Sequence, residues 1–359
     1  MLTALNIVQF KSHIATNYTF TNKIIAFVGN NGSGKTNILD AIYYSCFARS
    51  YFTKTDKNLP TINYHGFRIN GNFTHNNLLS TYTCIFREDG KKELYLNEEF
   101  IKKTSQYIGQ NTCVMIAPDD IDIINGGSEI RRKYIDILLC QCNKQYILQL
   151  QTYNKILLQR NALLKTINET KQQNTTLLTV LNEQLVAAAK YIYNTRVACT
   201  TQLFELVNTN YNYIADHTDA VQLQYTSQLQ HNELEQLLTL NLQKDIVTQR
   251  TNAGIHKDDL LFSLHNETFK NIASQGQKKS LLLALKLAEY NYLTIHNTAS
   301  TPLLLLDDIF ERLDNIRIQK LFELITTQLK CQVFITDTDS VRVTANIERF
   351  TNNFEIIKL

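Results

Sequence analysis

The chain of 359 residues has no tryptophan, two methionines, three prolines and eleven glycines. It also lacks any stretch near the roughly 18–20 consecutive apolar residues that cross a bilayer, so no helical membrane span is expected. The seven cysteines include no Cys-x-x-Cys pair. Cys140-x-Cys142 is the closest spacing and no histidine cluster joins it, which argues against a zinc site and for reduced core thiols. Charge of one sign is lacking too: 36 Lys and Arg stand against 33 Asp and Glu, a net of +3. That balance neither demands nor forbids a nucleic-acid partner. Met1-Leu2-Thr3-Ala4-Leu5-Asn6 carries no basic leader and no cleavage pattern, so a cytoplasmic protein with no membrane partner is expected. At 44% apolar and 19% charged residues, the chain is suited to a large buried core split into two lobes.

Glycine is scarce, yet three glycines fall within Gly29-Asn30-Asn31-Gly32-Ser33-Gly34-Lys35-Thr36. Two glycines bracketing four residues, followed by Lys and Thr, match the phosphate-binding loop pattern. The apolar run Lys23–Val28 before it reads as a buried strand, and Asn37-Ile38-Leu39-Asp40-Ala41-Ile42 after it opens a helix. Glycine lets backbone N–H groups crowd a phosphate with no Cβ in the way. Lys35 is placed to reach the β/γ-phosphates and the Thr36 hydroxyl to ligate Mg²⁺. The implied cofactors are ATP and Mg²⁺.

Two distant segments complete this site. Pro302-Leu303-Leu304-Leu305-Leu306-Asp307-Asp308 is a breaker, an apolar run and two carboxylates, the pattern of a central parallel strand. Acidic groups at its C-terminal end sit where open α/β sheets bind ligands. Asp307 is assigned to Mg²⁺ and Asp308 to the attacking water, the two roles phosphoryl transfer requires. The turn Ser274-Gln275-Gly276-Gln277 precedes the helical run Leu281–Tyr290. It resembles the signature motif of ABC-type ATPases, in which one subunit's signature contacts the γ-phosphate held by the other's loop. That resemblance implies a head-to-tail, ATP-dependent homodimer.

The rest of the chain reads as short strands around Leu5–Phe10, Ile69–Phe73, Leu79–Phe86, Glu93–Leu96 and Cys113–Ile116, with a hairpin turn at Asp89-Gly90. From Ser128 the pattern turns helical, to Leu164 and again over Leu177–Val207, with an exposed connection at Glu169–Thr176. This predicts a short helical hairpin, with no long coiled coil. The expected division is residues 1–125 for the first part of an ATPase lobe, 126–245 for a helical lobe and 246–359 for the rest of the ATPase lobe. Basic residues gather at Lys54/Lys57, Lys91-Lys92, Lys102-Lys103 and Arg131-Arg132-Lys133. Lys54, Lys57, Arg131 and Arg132 are the candidates for a DNA backbone.

With these residues in view, the chain resembles the RecF family, ABC-type ATPases of recombination and gap repair that share their head with SMC and Rad50 proteins. The likeness runs through Leu5-x₄-Phe10-Lys11, the loop Gly29–Thr36 continuing into Asn37, Ala48-Arg49-Ser50-Tyr51, and Ala117-Pro118-Asp119-Asp120 to Arg131-Arg132-x₃-Asp136. It continues in Gly254-Ile255-His256-Lys257-Asp258-Asp259-Leu260 and Phe310–Asp314, with Asp314 in the position of the family's D-loop aspartate. The resemblance implies an α/β P-loop head with a mixed sheet lobe and a mainly helical second lobe. It also implies gapped or duplex DNA as ligand, RecO and RecR as mediators, and RecA loading as outcome. Asp308 stands where most ABC ATPases carry Glu, which implies slow hydrolysis. Thr336-Asp337-Thr338 replaces the transporters' histidine, and Ala117 their metal-contacting glutamine. A transporter ATPase subunit and a P-loop small-molecule kinase are the alternatives; the first wants those two missing residues and the second leaves the signature unexplained.

Overall fold

The computed structural model describes residues 1–171, 175–215, 221–297, 300–329 and 331–359. Five strands form one parallel sheet in the order Phe354–Lys358, Ile24–Val28, Val333–Asp337, Leu303–Leu306, Cys113–Ile116. The last four are buried at every residue, as parallel strands covered on both faces must be. Val28 pairs with Asp337, while Leu306 lies between Ile335 and Ile116. Four strand ends therefore share one edge. Below it Phe20 meets Phe334 edge-on at 5.0 Å and Phe334 stacks on Phe27 at 6.4 Å.

A six-stranded antiparallel sheet runs in the order His13–Thr19, Leu2–Phe10, Phe67–His75, Leu78–Phe86, Lys92–Leu96, Glu99–Phe100. Helix Lys35–Phe47 packs against both sheets. Eleven of its thirteen residues are buried, so it shows little of the one-sided stripe of a surface helix. Phe10, Tyr44 and Phe67 meet edge-on at 5.2–5.9 Å and fix it to the antiparallel sheet. Both sheets and the phosphate loop belong to one compact unit of residues 1–121, 209–217 and 279–359.

The second unit comprises residues 122–208 and 218–278. Its helical stretch is broken where the periodicity predicted one run to Leu164: Ser128–Cys142 ends and Lys144–Thr170 begins. Asn143 accepts the Tyr146 N–H there as the cap of the next helix. Lys144–Thr170 then runs antiparallel to Thr175–Ala215, with Asn143 bonded to Tyr191 and Arg160 to Asn182. Residues 172–174 of the expected connection lie outside the described residues. The division expected at residue 246 is corrected. Strand Asp259–Leu264 pairs with Val221–Thr226, and the fully buried Arg196 binds Asp136 at 2.8 Å and Asp258 at 2.9 Å. Those contacts keep the Gly254–Leu260 block in the helical unit, which also includes the signature turn.

In the first unit, a chain of buried polar groups crosses between helix Lys35–Phe47 and helix Gln275–His296. Lys11 pairs with Asp40 at 2.6 Å, and Asp40 accepts from the Ser50 hydroxyl and the Tyr51 N–H. The Tyr51 hydroxyl donates to Asp120, which pairs with Lys286 at 3.3 Å. Glu289 closes the chain, its Oε2 3.9 Å from the Lys286 amino group and without a hydrogen bond. Burial pushes the Glu289 carboxyl up to about 7, against the pull of Lys286. A carboxyl raised on folding stabilises the protein below its unfolded value and loses that contribution as pH rises through the folded one. We therefore predict that the native chain loses about 3 kcal/mol between pH 4.5 and 7.5 from this group alone. Urea unfolding of Glu289→Gln across that range should show a flatter profile; parallel profiles would remove Glu289 as the cause.

Candidate phosphate-binding site

The loop follows strand Ile24–Val28 and feeds helix Lys35–Phe47. Gly32 and Gly34 take φ of +84° and +97°, the left-handed region open to glycine. A Cβ on Gly34 would stand 2.6 Å from Ser12 Oγ and 2.8 Å from His13 Nε2. His13, which no local pattern singles out, is buried under the loop with Nε2 3.1 Å from the Gly34 carbonyl. Asn37 donates to Ser12 Oγ at 2.8 Å beside it. On the other flank, Leu359 N–H donates to Val28, and a Cβ on Gly29 would meet the Leu359 carbonyl at 3.0 Å. Asn30, Asn31 and Gly32 form the exposed tip.

Lys35 is 5% exposed, its amino group donating to the carbonyls of Gly29 at 2.7 Å and Asn30 at 3.0 Å. The Thr36 hydroxyl donates to Asp307 Oδ1 at 2.9 Å. Thus 271 residues of chain separate two groups that touch. From the neighbouring strand, Thr336 also donates to Asp307 Oδ1, at 2.7 Å, and accepts the Asp308 N–H at 2.9 Å. Burial raises the Asp307 carboxyl above its ordinary value, while the Thr336 and Thr36 hydroxyls hold it down. Asp308 is raised by burial and by the neighbouring Asp307 charge. Its backbone is left-handed at φ +47°, and its Oδ1 is buried without a partner.

These residues fit a phosphate and a hard cation. Ser33 Oγ and Asp308 Oδ1 are both buried and unpartnered, and such atoms call for a ligand or water. The donor set of hydroxyl and carboxylate oxygens suits Mg²⁺, which is held by few protein ligands and by phosphate oxygens. Among the described residues no group of three or more His, Cys, Asp or Glu could hold a metal by itself.

The signature turn lies in the second unit. Ser274 Oγ accepts the Gln277 N–H at 3.2 Å and Gln277 Oε1 accepts the Ser274 N–H at 2.8 Å, a reciprocal capping box opening helix Gln275–His296. Ser274 and Gln275 are exposed, Gly276 half-buried. Asp314 caps helix Asn315–Thr327 by accepting the Arg317 N–H at 3.0 Å. Of the basic candidates, Lys54 and Lys57 are exposed. Arg131 is held within its own unit: its guanidinium grips Asp259 through two bonds of 2.7 and 2.9 Å and binds the Gly126 carbonyl. Arg132 spends one bond on the Asp258 carbonyl. Sequence showed the cations but not the Asp258-Asp259 acids folded onto them.

A parallel sheet with a phosphate loop, a hydroxyl-bound acid pair and a capped signature turn defines the class of ABC-type ATPase heads. Residues 1–355 match the family model of the RecF/RecN/SMC N-terminal domain. The chain is 36% identical to the DNA replication and repair protein RecF of Flavobacterium johnsoniae, over 100% of this chain and 99% of that protein. With the RecF of Parabacteroides distasonis it shares 35% over 94% and 92%. The solved structure of a recombination mediator protein RecF with ATP, from the RecFOR pathway, superposes at a TM-score of 0.87 and 27% identity over 94% of this chain and 92% of that one. An SMC head bound to the C-terminal winged helix of ScpA, at TM-score 0.54 and 15% identity over 96% of this chain and 91% of that one, shows the same fold. The chain belongs to the RecF family. Among its described residues no helix is long and apolar enough to cross a membrane.

Alanine at Gly34 and at Gly32 tests the loop's construction. Each left-handed alanine costs about 1–2 kcal/mol, and only Gly34 adds the crowding by Ser12 and His13, since nothing lies within 4 Å of a Cβ on Gly32. Urea unfolding should find Gly34→Ala the more destabilised. Equal losses would mean that Ser12 and His13 move aside at no cost.

Proposed function

We propose that this protein is an ATP-gated DNA-binding switch of recombinational gap repair and replication restart. The observation that carries the reading is the Thr36–Asp307 contact, which seats the metal-binding hydroxyl of the loop on the acid of the Leu303–Leu306 strand. Lys35, Thr36 and the loop amides would hold the triphosphate, and Asp307 the Mg²⁺ with Thr36. Bound Mg²⁺ would neutralise charge on the phosphates. Lys35 would give up the Gly29 and Asn30 carbonyls for the β/γ-phosphates. Asp308, with an unpartnered oxygen, would orient the attacking water. An aspartate is one methylene shorter than the usual glutamate, which supports slow turnover suited to timing a bound state.

Ser274 of one copy would meet the γ-phosphate held by another, since the exposed helix start presents a hydroxyl and positive dipole together. The paired heads would grip gapped or duplex DNA through phosphate contacts without sequence specificity, with Lys54 and Lys57 as first candidates and Arg132 as a third. The relatives' names as DNA replication and repair proteins, and the place of a solved RecF in the RecFOR pathway, support RecO and RecR as mediators and RecA loading as the outcome.

Lys35→Ala should abolish ATP binding. Asp308→Asn should bind ATP and accumulate as a dimer on gapped duplex, followed by anisotropy and light scattering with and without ATP. A monomeric Asp308→Asn in saturating ATP would sink the switch. Ser274→Arg should bind ATP as the wild type does and stay monomeric, and normal pairing would remove the signature's role. Reversing Lys54 and Lys57 to Glu should weaken DNA binding and flatten its dependence on salt by about one unit of log–log slope per lost contact.

A further inference from the structure

We infer that Thr336 is a positioning residue: its one hydroxyl sets both carboxylates of the phosphate site, Asp307 for the metal and Asp308 for the water. The inference deepens the ATP-switch reading and rests on it. Strand Val333–Asp337 pairs with Leu303–Leu306 through Ile335 and Leu306, so the next residue on each strand, Thr336 and Asp307, stand side by side at the sheet edge. Thr336 is fully buried. Its hydroxyl uses its only proton on Asp307 Oδ1, at 2.7 Å, and a lone pair on the Asp308 N–H, at 2.9 Å.

The single proton of the Thr336 hydroxyl goes to Asp307, which leaves its lone pairs for the Asp308 N–H. Thr36 also donates to Asp307, and it can go on doing so while a lone pair of the same oxygen turns to a metal. Of the two hydroxyls, Thr336 is the one that orients the Asp307 carboxylate without itself serving the metal, as outer partners of metal ligands commonly do. Meanwhile Asp308 sits in a left-handed turn that its own side chain does not cap. The bond from its N–H to Thr336 ties that turn to the sheet and so aims the unpartnered carboxylate oxygen. A valine at 336 would keep the volume and remove both bonds; a serine would keep both.

The test is metal binding, read without turnover. Wild type, Thr336→Val and Thr336→Ser are loaded with ADP and titrated with Mn²⁺ in place of Mg²⁺, free Mn²⁺ being followed by electron paramagnetic resonance. Thr336→Val should bind Mn²⁺ about tenfold more weakly, while its metal-free ADP affinity stays at the wild-type value. Thr336→Ser should restore Mn²⁺ affinity to within about threefold. ATP turnover should then fall in kcat for the valine variant with KM little changed. If Thr336→Val does not fold, Thr336→Cys takes its place, and its weak donor should give an intermediate Mn²⁺ affinity. Wild-type Mn²⁺ affinity in Thr336→Val or Thr336→Cys would overturn the inference and leave the ATP site standing. A wild-type protein that binds neither ADP nor Mn²⁺ would overturn the ATP-switch reading itself.

Discussion

A carboxylate withdrawn from water needs compensation on the spot, and Asp307 is such a group, 4% exposed at the end of a strand of leucines. Its partners are two hydroxyls from different parts of the chain, Thr36 and Thr336. Neither hydroxyl is within reach unless strands Ile24–Val28, Val333–Asp337 and Leu303–Leu306 stand in their observed register. Slip Val333–Asp337 by one residue and the Thr336 hydroxyl turns to the opposite face. Loop, acid pair and sheet edge therefore stand or fall together, and the apolar packing of Phe20, Phe27 and Phe334 beneath them holds the register.

The helical unit meets the same demand with cations. Arg160 and Arg196 are fully buried. Arg160 is neutralised by Asp245 with added bonds to Asn182 and Thr251. Arg196 binds Asp136, Asp258 and the Ile255 carbonyl. Buried pairs contribute little net stability but are costly to break singly. Their effect here is to fix which residues meet: the acids near Asp258 are drawn to the helices, and Arg131 with them.

What the sequence revealed followed from local chemistry. The loop, the leucine strand with its two acids and the capped turn each carry their signal within about ten residues, and the mixed α/β head was readable from their order. Strands His13–Thr19 and Phe354–Lys358 were not readable, since half-exposed edge positions blur the alternation that marks a strand. The break at Asn143 hid inside continuous helical periodicity. Arg131 looked like a surface cation because nothing local announces that Asp259, 128 residues away, will take its charge. Thr336 stood out only as part of the segment that replaces the transporters' histidine; the neighbouring strand gives its hydroxyl a task.

The seating of Leu359 against Val28 and Gly29 has a meaning for synthesis. The loop emerges early, yet its acid partner follows 271 residues later, roughly 15–50 s at common rates of translation. The strand that flanks the loop, Phe354–Lys358, comes later still. A ribosome-bound chain thus carries Gly29–Thr36 without its acid partner while those 271 residues are made. Such long-range closure also predicts slow acquisition of the native site after release. The nascent loop lacks the Asp307 side of its site until the strand of leucines has been made.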